Sequence, residues 1–313
     1  MSQLGPKVIR LVLVLLAVTI FSFLLMSLLP GDPALVFNVG ADKSQLDQIR
    51  ADLRLDDPLP VRYVAWLGDF VRGDLGNYYN AAGDSPWEKL KADLPVTLLL
   101  MFYSTVVAVG IAIPLGVFTA YRAGTFFDRA TNIFFFLALS IPAFVLAFFL
   151  KKYLTIDNKI LPERGWTSPF DDFGMHVKQA ILPVTCLVAS QIAVYARLLR
   201  SDMIATLQED FITMAKAKGI SSRRVLFRHA LRPSSLTLLT VAGLNVGALI
   251  GGAVIIERIF GIPGIGTDTV EAVVAREYVA VQSFIAVIGI LFVLVNFAVD
   301  LLYTVLDPRI RHV

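Results

Sequence analysis

Six long apolar runs constrain this chain more than any other feature. They cover residues 11–29, 94–120, 130–150, 180–196, 234–256 and 282–299, and each comes close to the roughly 20 residues an α-helix needs to cross about 30 Å of hydrocarbon. Inside a bilayer no water is available to the backbone, so each run must satisfy its own N–H and C=O groups as a helix. Composition agrees, since only 17% of residues are charged against roughly 25% in soluble domains. The expected fold is an all-α membrane protein of six transmembrane helices. The first run follows Lys7 and Arg10 as a signal peptide would. It is longer than the usual signal core and ends in "LLPGDP" without a small-x-small cleavage site, so a retained anchor is expected.

Short loops rich in Lys and Arg face the cytoplasm. With the N-terminus inside, residues 1–10, 121–129, 197–233 and 307–313 are cytoplasmic, and 31–93, 151–178 and 257–281 are outside. The expected organisation is residues 1–30 as the cytoplasmic N-terminus and first helix, and 31–93 as a small extracytoplasmic subdomain. A core with the other five helices follows over 94–305, with a cytoplasmic loop at 201–233, and 306–313 forms a cytoplasmic tail. Lys151, Lys152 and Lys178 run against the charge rule and are expected to snorkel to the headgroups. In the outer segment, Tyr63, Trp66, Leu67 and Phe70 recur at helical spacing. They predict an amphipathic helix that either packs on the spans or meets a partner.

None of the six runs contains Asp, Glu, Lys, Arg or His. Ion-coupled carriers and voltage sensors depend on such groups inside the membrane, so energy is not expected to enter through the bilayer. Asp300, just past the last run, is expected to pair or cap at the cytoplasmic end. The three histidines, His176, His229 and His312, form no zinc-protease pattern, and there is no nucleophile elbow or phosphate-binding loop. The single cysteine, Cys186, excludes an intrachain disulfide. No catalytic residue, metal site, bound cofactor or nucleic-acid partner is expected, and "GIPGIG" at 261–266 reads as a turn.

Within the fifth run, Gly243, Gly247 and Gly251 recur every fourth residue beside Asn245 and Gly252. Small residues on one face admit a second backbone. Two readings stand: packing inside this chain, or a face toward a partner or the solute path, for which Asn245, Gly247 and Gly251 are the candidates. Pro114, Pro142 and Pro183 permit kinks in the second, third and fourth runs.

A basic island, "MAKAKGISSRRVLFRHALRP" at 214–233, interrupts this apolar chain. Burying its six Lys and Arg residues would cost about 3 kcal/mol each, so it is a water-exposed loop. Acids at Glu209 and Asp210, lysines at Lys216 and Lys218, and then Gly219 predict a short helix with dipole-complementary ends. Phe211, Met214 and Ala215 are expected on one of its faces. Ser221 or Ser222 is expected to cap a second helix, and Pro233 to lie in the first turn of the fifth span. Such an elbow either transmits force from a soluble partner or rests on anionic lipid.

"AKAKG" at 215–219 with "HALRP" at 229–233 resembles the conserved cytoplasmic loop of permease subunits in bacterial ABC importers. "LLPGDP", "LDDPLPVRYVAWLGDFVRGDLG", "IPLGV", "GGAVIIERIFGIPGIG" and "VDLLYTVLDPRIR" extend the likeness over nearly the whole chain. Together they resemble the B-type subunit of the dipeptide/oligopeptide/nickel permease group. Met214 and Lys216 stand where many such loops carry alanine or arginine, and no acid directly precedes Ala215.

The resemblance implies a type I ABC importer permease in the bacterial cytoplasmic membrane, with both termini cytoplasmic. It implies a homologous C-type permease partner, two ATPase subunits that hold ATP and Mg, an extracytoplasmic substrate-binding protein and surrounding membrane lipid. Thr213, Met214, Ala215, Lys216, Lys218, Gly219 and Ile220 would form the coupling helix that contacts the ATPase. The expected cargo is a peptide or peptide-like solute. A self-gating channel, a static assembly subunit and import of a non-peptide solute such as a nickel chelate remain alternatives.

Overall fold

Where a run is apolar throughout, helix is the only local structure that leaves no backbone group unpaired in lipid. The computed structural model describes residues 4–28, 44, 47, 50–51, 53–78 and 85–306. Among the described residues every regular element is helical: α1 (Leu4–Ser27), α2 (Leu59–Val71), α3 (Pro86–Tyr121), α4 (Phe126–Ser140), α5 (Ala143–Leu150), α6 (Phe173–Leu207), α7 (Asp210–Ala217), α8 (Leu231–Phe260), α9 (Ile265–Val274) and α10 (Tyr278–Leu306). Five helical stretches are long and apolar enough to span: Gly5–Ser27, Pro86–Tyr121, Phe173–Leu207, Ser222–Phe260 and Tyr278–Val299. The third run supplies a sixth only as a bent pair, α4 with α5 and its continuation to Asp157, turned by 95°.

That bend has a local cause. Proline lacks an N–H and pushes the residue before it out of the helical region. Ile141 is accordingly extended (φ −97°, ψ 114°), and Pro142 begins the next helix. Pro183 lies inside an uninterrupted α6, and Pro114 likewise inside α3. Of the three prolines, only Pro142 breaks its helix.

The chain divides into two compact units, Met1–Thr97 with Pro263–Ala298, and Leu98–Ile262 with Val299–Val313. In the first, Met26, Leu75, Leu90, Ile265, Ala280 and Phe284 form a buried core. The α2 helix packs on α1 through its aromatic stripe. The rings of Phe23 and Tyr63 lie 5.5 Å apart, those of Trp66 and Phe70 5.2 Å apart, and the Thr19 and Tyr63 hydroxyls are 2.9 Å apart. Packing onto a span is therefore the reading of this stripe that the structure bears out. Thr97 accepts a hydrogen bond from the Ile265 backbone N–H at the start of α9 (3.1 Å).

In the second unit α6 is the hub, packed against α4, α5 and α8, with Tyr195, Leu199 and Met203 fully buried along it. Lys151 corrects the snorkelling expectation. Its side chain is only 12% exposed, and its Nζ donates to the Ile259 carbonyl in the last turn of α8 (2.5 Å). The final carbonyls of a helix lack intrahelical donors and carry partial negative charge, so a lysine there both bonds and neutralises them. The side chain of Asp300 lies outside the described residues.

Candidate functional site

The polar island folds as a helical elbow between α6 and α8. Gln208 and Glu209 separate α6 from the eight-residue α7, which has Asp210 in its first turn and Lys216 in its last. Its end is closed by two reciprocal bonds, Gly219 N–H to the Lys216 carbonyl (2.9 Å) and Ile220 N–H to the Ala215 carbonyl (3.2 Å). This closure needs a left-handed residue at its centre, and Gly219 supplies it at φ +75°.

The face of α7 turned toward its own chain differs from the expected one. Ile212 (0% exposed) and Ala215 (7%) point inward, while Phe211 and Met214 are exposed. The reason is register: Ile212 and Ala215 are three residues apart and share one side of the helix. Ala215 is thus an anchor, whereas Thr213, Met214, Lys216, Lys218 and Gly219 present outward and Ile220 is half-buried. Among the described residues, this surface combines an aromatic, a thioether and two ammonium groups on a short, well-terminated helix.

Beyond Ser221 the chain does not form a separate second helix. Ser222–Arg224 runs through a π-helical turn, Val225–Ala230, directly into α8, so a single helical stretch spans Ser222–Phe260. Pro233 lies in the first turn of α8 as expected. The wider π turn precedes the position at which proline withholds its N–H and crowds the carbonyl four residues back. Val225, Leu226 and Ala230 are buried, while Phe227 is exposed. Ser221 precedes the helix without a side-chain capping bond. The elbow's two limbs are tied where they enter the bundle, by Ser234 Oγ donating to Thr206 Oγ1 (2.9 Å).

Two features of this unit were not read from the sequence. Arg200 on α6 grips Asp128 at the start of α4 with two bonds, Nε to Oδ1 (2.6 Å) and Nη2 to Oδ2 (2.7 Å). Asp128 also accepts from the Gly124 N–H and from Asn132, so its carboxylate is fully engaged. A planar guanidinium matches a carboxylate in this bidentate way. The legible signal was local, because Thr125 followed three residues later by Asp128 is a helix-start pattern, but the arginine partner lies 72 residues away. The second feature is a run of side-chain hydrogen bonds along α6, where the Tyr195 hydroxyl donates to Gln191 (2.7 Å), which donates to the Leu187 carbonyl (3.3 Å), with Asn245 of α8 nearby.

The candidates on α8 are thereby separated. Asn245 is half-buried and turned to α6, Gly247 is buried, and Gly251 is exposed, with open space where a Cβ would be. Close approach of α6 occurs instead at Gly252, where a Cβ would sit 3.4 Å from Leu187.

A helical membrane bundle with an anchored exposed helix between two spans defines a class of transport component. The binding-protein-dependent transport system inner membrane component family matches residues 112–312, and the N-terminal region of the corresponding membrane component matches residues 3–101. The chain belongs to this family. It is similar to a probable peptide ABC transporter permease protein of Sinorhizobium fredii, 37% identical over 98% of both chains. It also resembles a putative peptide permease protein of Brucella suis, 35% identical over 95% of both, and the oligopeptide transport system permease protein AppB of Bacillus subtilis, 35% identical over 96% of both. These relatives are named as transport components, and this chain is a multi-pass transport subunit rather than an enzyme.

Proposed function

We propose that this chain is a permease subunit of an ATP-driven importer that moves peptides or peptide-like solutes inward. In this reading α7 is the coupling helix, and Thr213, Met214, Lys216, Lys218 and Gly219 meet an ATPase subunit. Ala215 and Ile212 hold it rigid from within, and Ile220 closes it. Two ATPase subunits carry ATP and Mg, a homologous C-type permease completes the path, and an extracytoplasmic binding protein delivers the solute. Both termini are cytoplasmic, and the membrane is the bacterial inner membrane. Asn245, Gly247 and Gly251 are proposed for the translocation path or the permease interface, with Gly251 the one facing open space.

One observation carries the reading: an exposed eight-residue helix is anchored by two buried side chains at the one strongly basic loop between spans. Such a helix is stiff enough to pass a push from a nucleotide-driven partner into α6 and α8. The test is Met214→Glu, with affinity purification of the tagged chain from its native membrane and peptide uptake in parallel. The wild-type chain is expected to bring a second permease and ATPase subunits. The variant, equally well expressed, is expected to lose the ATPase subunits and uptake together. Uptake by the purified chain alone, without ATPase subunits or nucleotide, would establish the channel instead.

A further inference from the structure

A cavity of about 330 Å³ opens within the first unit, between the C-terminal turns of α1, the length of α2 and the first turn of α10. Its depth in the membrane follows from the helices that frame it. The spans Gly5–Ser27 and Tyr278–Val299 are 23 and 22 residues long, slightly more than the roughly 20 that cross the hydrocarbon. Phe23 lies one turn from the end of the first, and Gln282 one turn from the start of the second. The cavity is therefore at the level where acyl chains give way to headgroups.

Its lining offers buried hydrogen-bond donors. Gln282 is 4% exposed, lines the cavity, and its Nε2 donors have no acceptor among the described residues. The Nε–H of Arg62 is buried and likewise has no acceptor among the described residues, while its guanidinium lies 5.9 Å over the Phe23 ring and beside the Tyr278 hydroxyl. Buried donors left without acceptors are costly, and Arg62 on α2 and Gln282 on α10, which both line the cavity, suit an anionic acceptor. Phosphate is an acceptor whose geometry a guanidinium matches, and one that a membrane supplies at this depth.

Two carboxylates, Asp69 and Asp74, also line the cavity. Asp74 uses one oxygen on the Gly76 N–H (3.0 Å), and Asp69 lies 3.7 Å from Arg72. Trp66 forms a wall, a residue type that favours the headgroup region. Near Phe23, Phe21 and Leu25 leave apolar surface of α1 exposed for acyl chains.

We propose that this cavity binds the phosphoethanolamine headgroup of a membrane phospholipid, with phosphate at Arg62 and Gln282 and the primary ammonium at Asp69 and Asp74. A choline headgroup has no N–H to give the carboxylates, and a glycerol headgroup offers them no cation. The site is independent of the cargo and of ATPase coupling.

The test is native mass spectrometry of the purified full-length chain, supplied with phosphatidylethanolamine, phosphatidylcholine and phosphatidylglycerol of identical acyl chains. One phosphatidylethanolamine per chain is expected to be retained about tenfold more than either other lipid, a difference set by a single charge-assisted contact. Arg62→Met with Gln282→Leu is expected to abolish this retention. Asp74→Asn, exposed and still able to accept from the Gly76 N–H, is expected to remove the preference for ethanolamine over glycerol headgroups while both still bind. Equal retention of the three lipids, unchanged retention in the double variant, or an unchanged preference in Asp74→Asn would overturn the proposal. Displacement by soluble phosphoethanolamine at equal concentration would show a site for a free phosphate compound and overturn the lipid assignment.

Discussion

At the scale of single residues, Asp268 is the most conditional group in the fold. It lies on α9 at 4% exposure, with Lys89 Nζ 3.4 Å from its Oδ1 and 3.5 Å from Glu271. Burial first, and then the neighbouring Asp93 carboxylate, push its pKa up to about 7, with Lys89 opposing them. In an unfolded chain the same group loses its proton near pH 4. Between about pH 4 and about 7 the folded state therefore holds a proton that the unfolded state has lost, and stability falls as pH rises through that window. Thermal unfolding in mild detergent is expected to show a falling midpoint from pH 5 to pH 7.5, and Asp268→Asn is expected to flatten it. An unchanged slope in the variant would assign the effect to another group. The Asp128–Arg200 grip behaves oppositely as a design element: with its carboxylate saturated by donors, it holds α4 to α6 throughout the neutral range.

At the scale of elements, helix contacts in lipid depend on close packing, because the surrounding tails are as apolar as the side chains. In the second unit α3 meets α6 closely at Gly116, where a Cβ would sit 3.0 Å from the Ala196 carbonyl oxygen and from Leu199. A backbone carbonyl cannot swing aside as a side chain does, so Gly116→Ala is expected to destabilise by about 1–3 kcal/mol, the usual cost of overpacking. Gly251→Ala meets open space and is expected to change stability by less than about 0.5 kcal/mol. Unfolding midpoints of the two variants in the same detergent check the contrast. A large loss at Gly251 would instead show that another surface already covers it.

At the scale of the whole molecule, the reading places the elbow inside the cell and the loop around Phe170 outside. Cys186 is buried and stays silent to a membrane-impermeant thiol reagent. Arg223→Cys, exposed in the same loop, is expected to label only in inverted vesicles, and Phe170→Cys, at a position 97% exposed, only in intact cells. Reversed labelling would invert the topology. Much of this arrangement was legible in one dimension. Apolar runs dictate helices because lipid leaves the backbone no other partner, and acids, lysines and Gly219 placed the ends of α7 because helix termination is local chemistry. Three-dimensional packing decided the rest. It turned Ile212 rather than Phe211 inward, carried Pro114 and Pro183 through unbroken helices, and joined the loop's second limb to α8 without a stop. It also drew Arg200 to Asp128 and Lys151 to the end of α8. Burial, register and pairing are properties of surfaces brought together across many residues, and a local pattern carries no record of which distant surface will meet it.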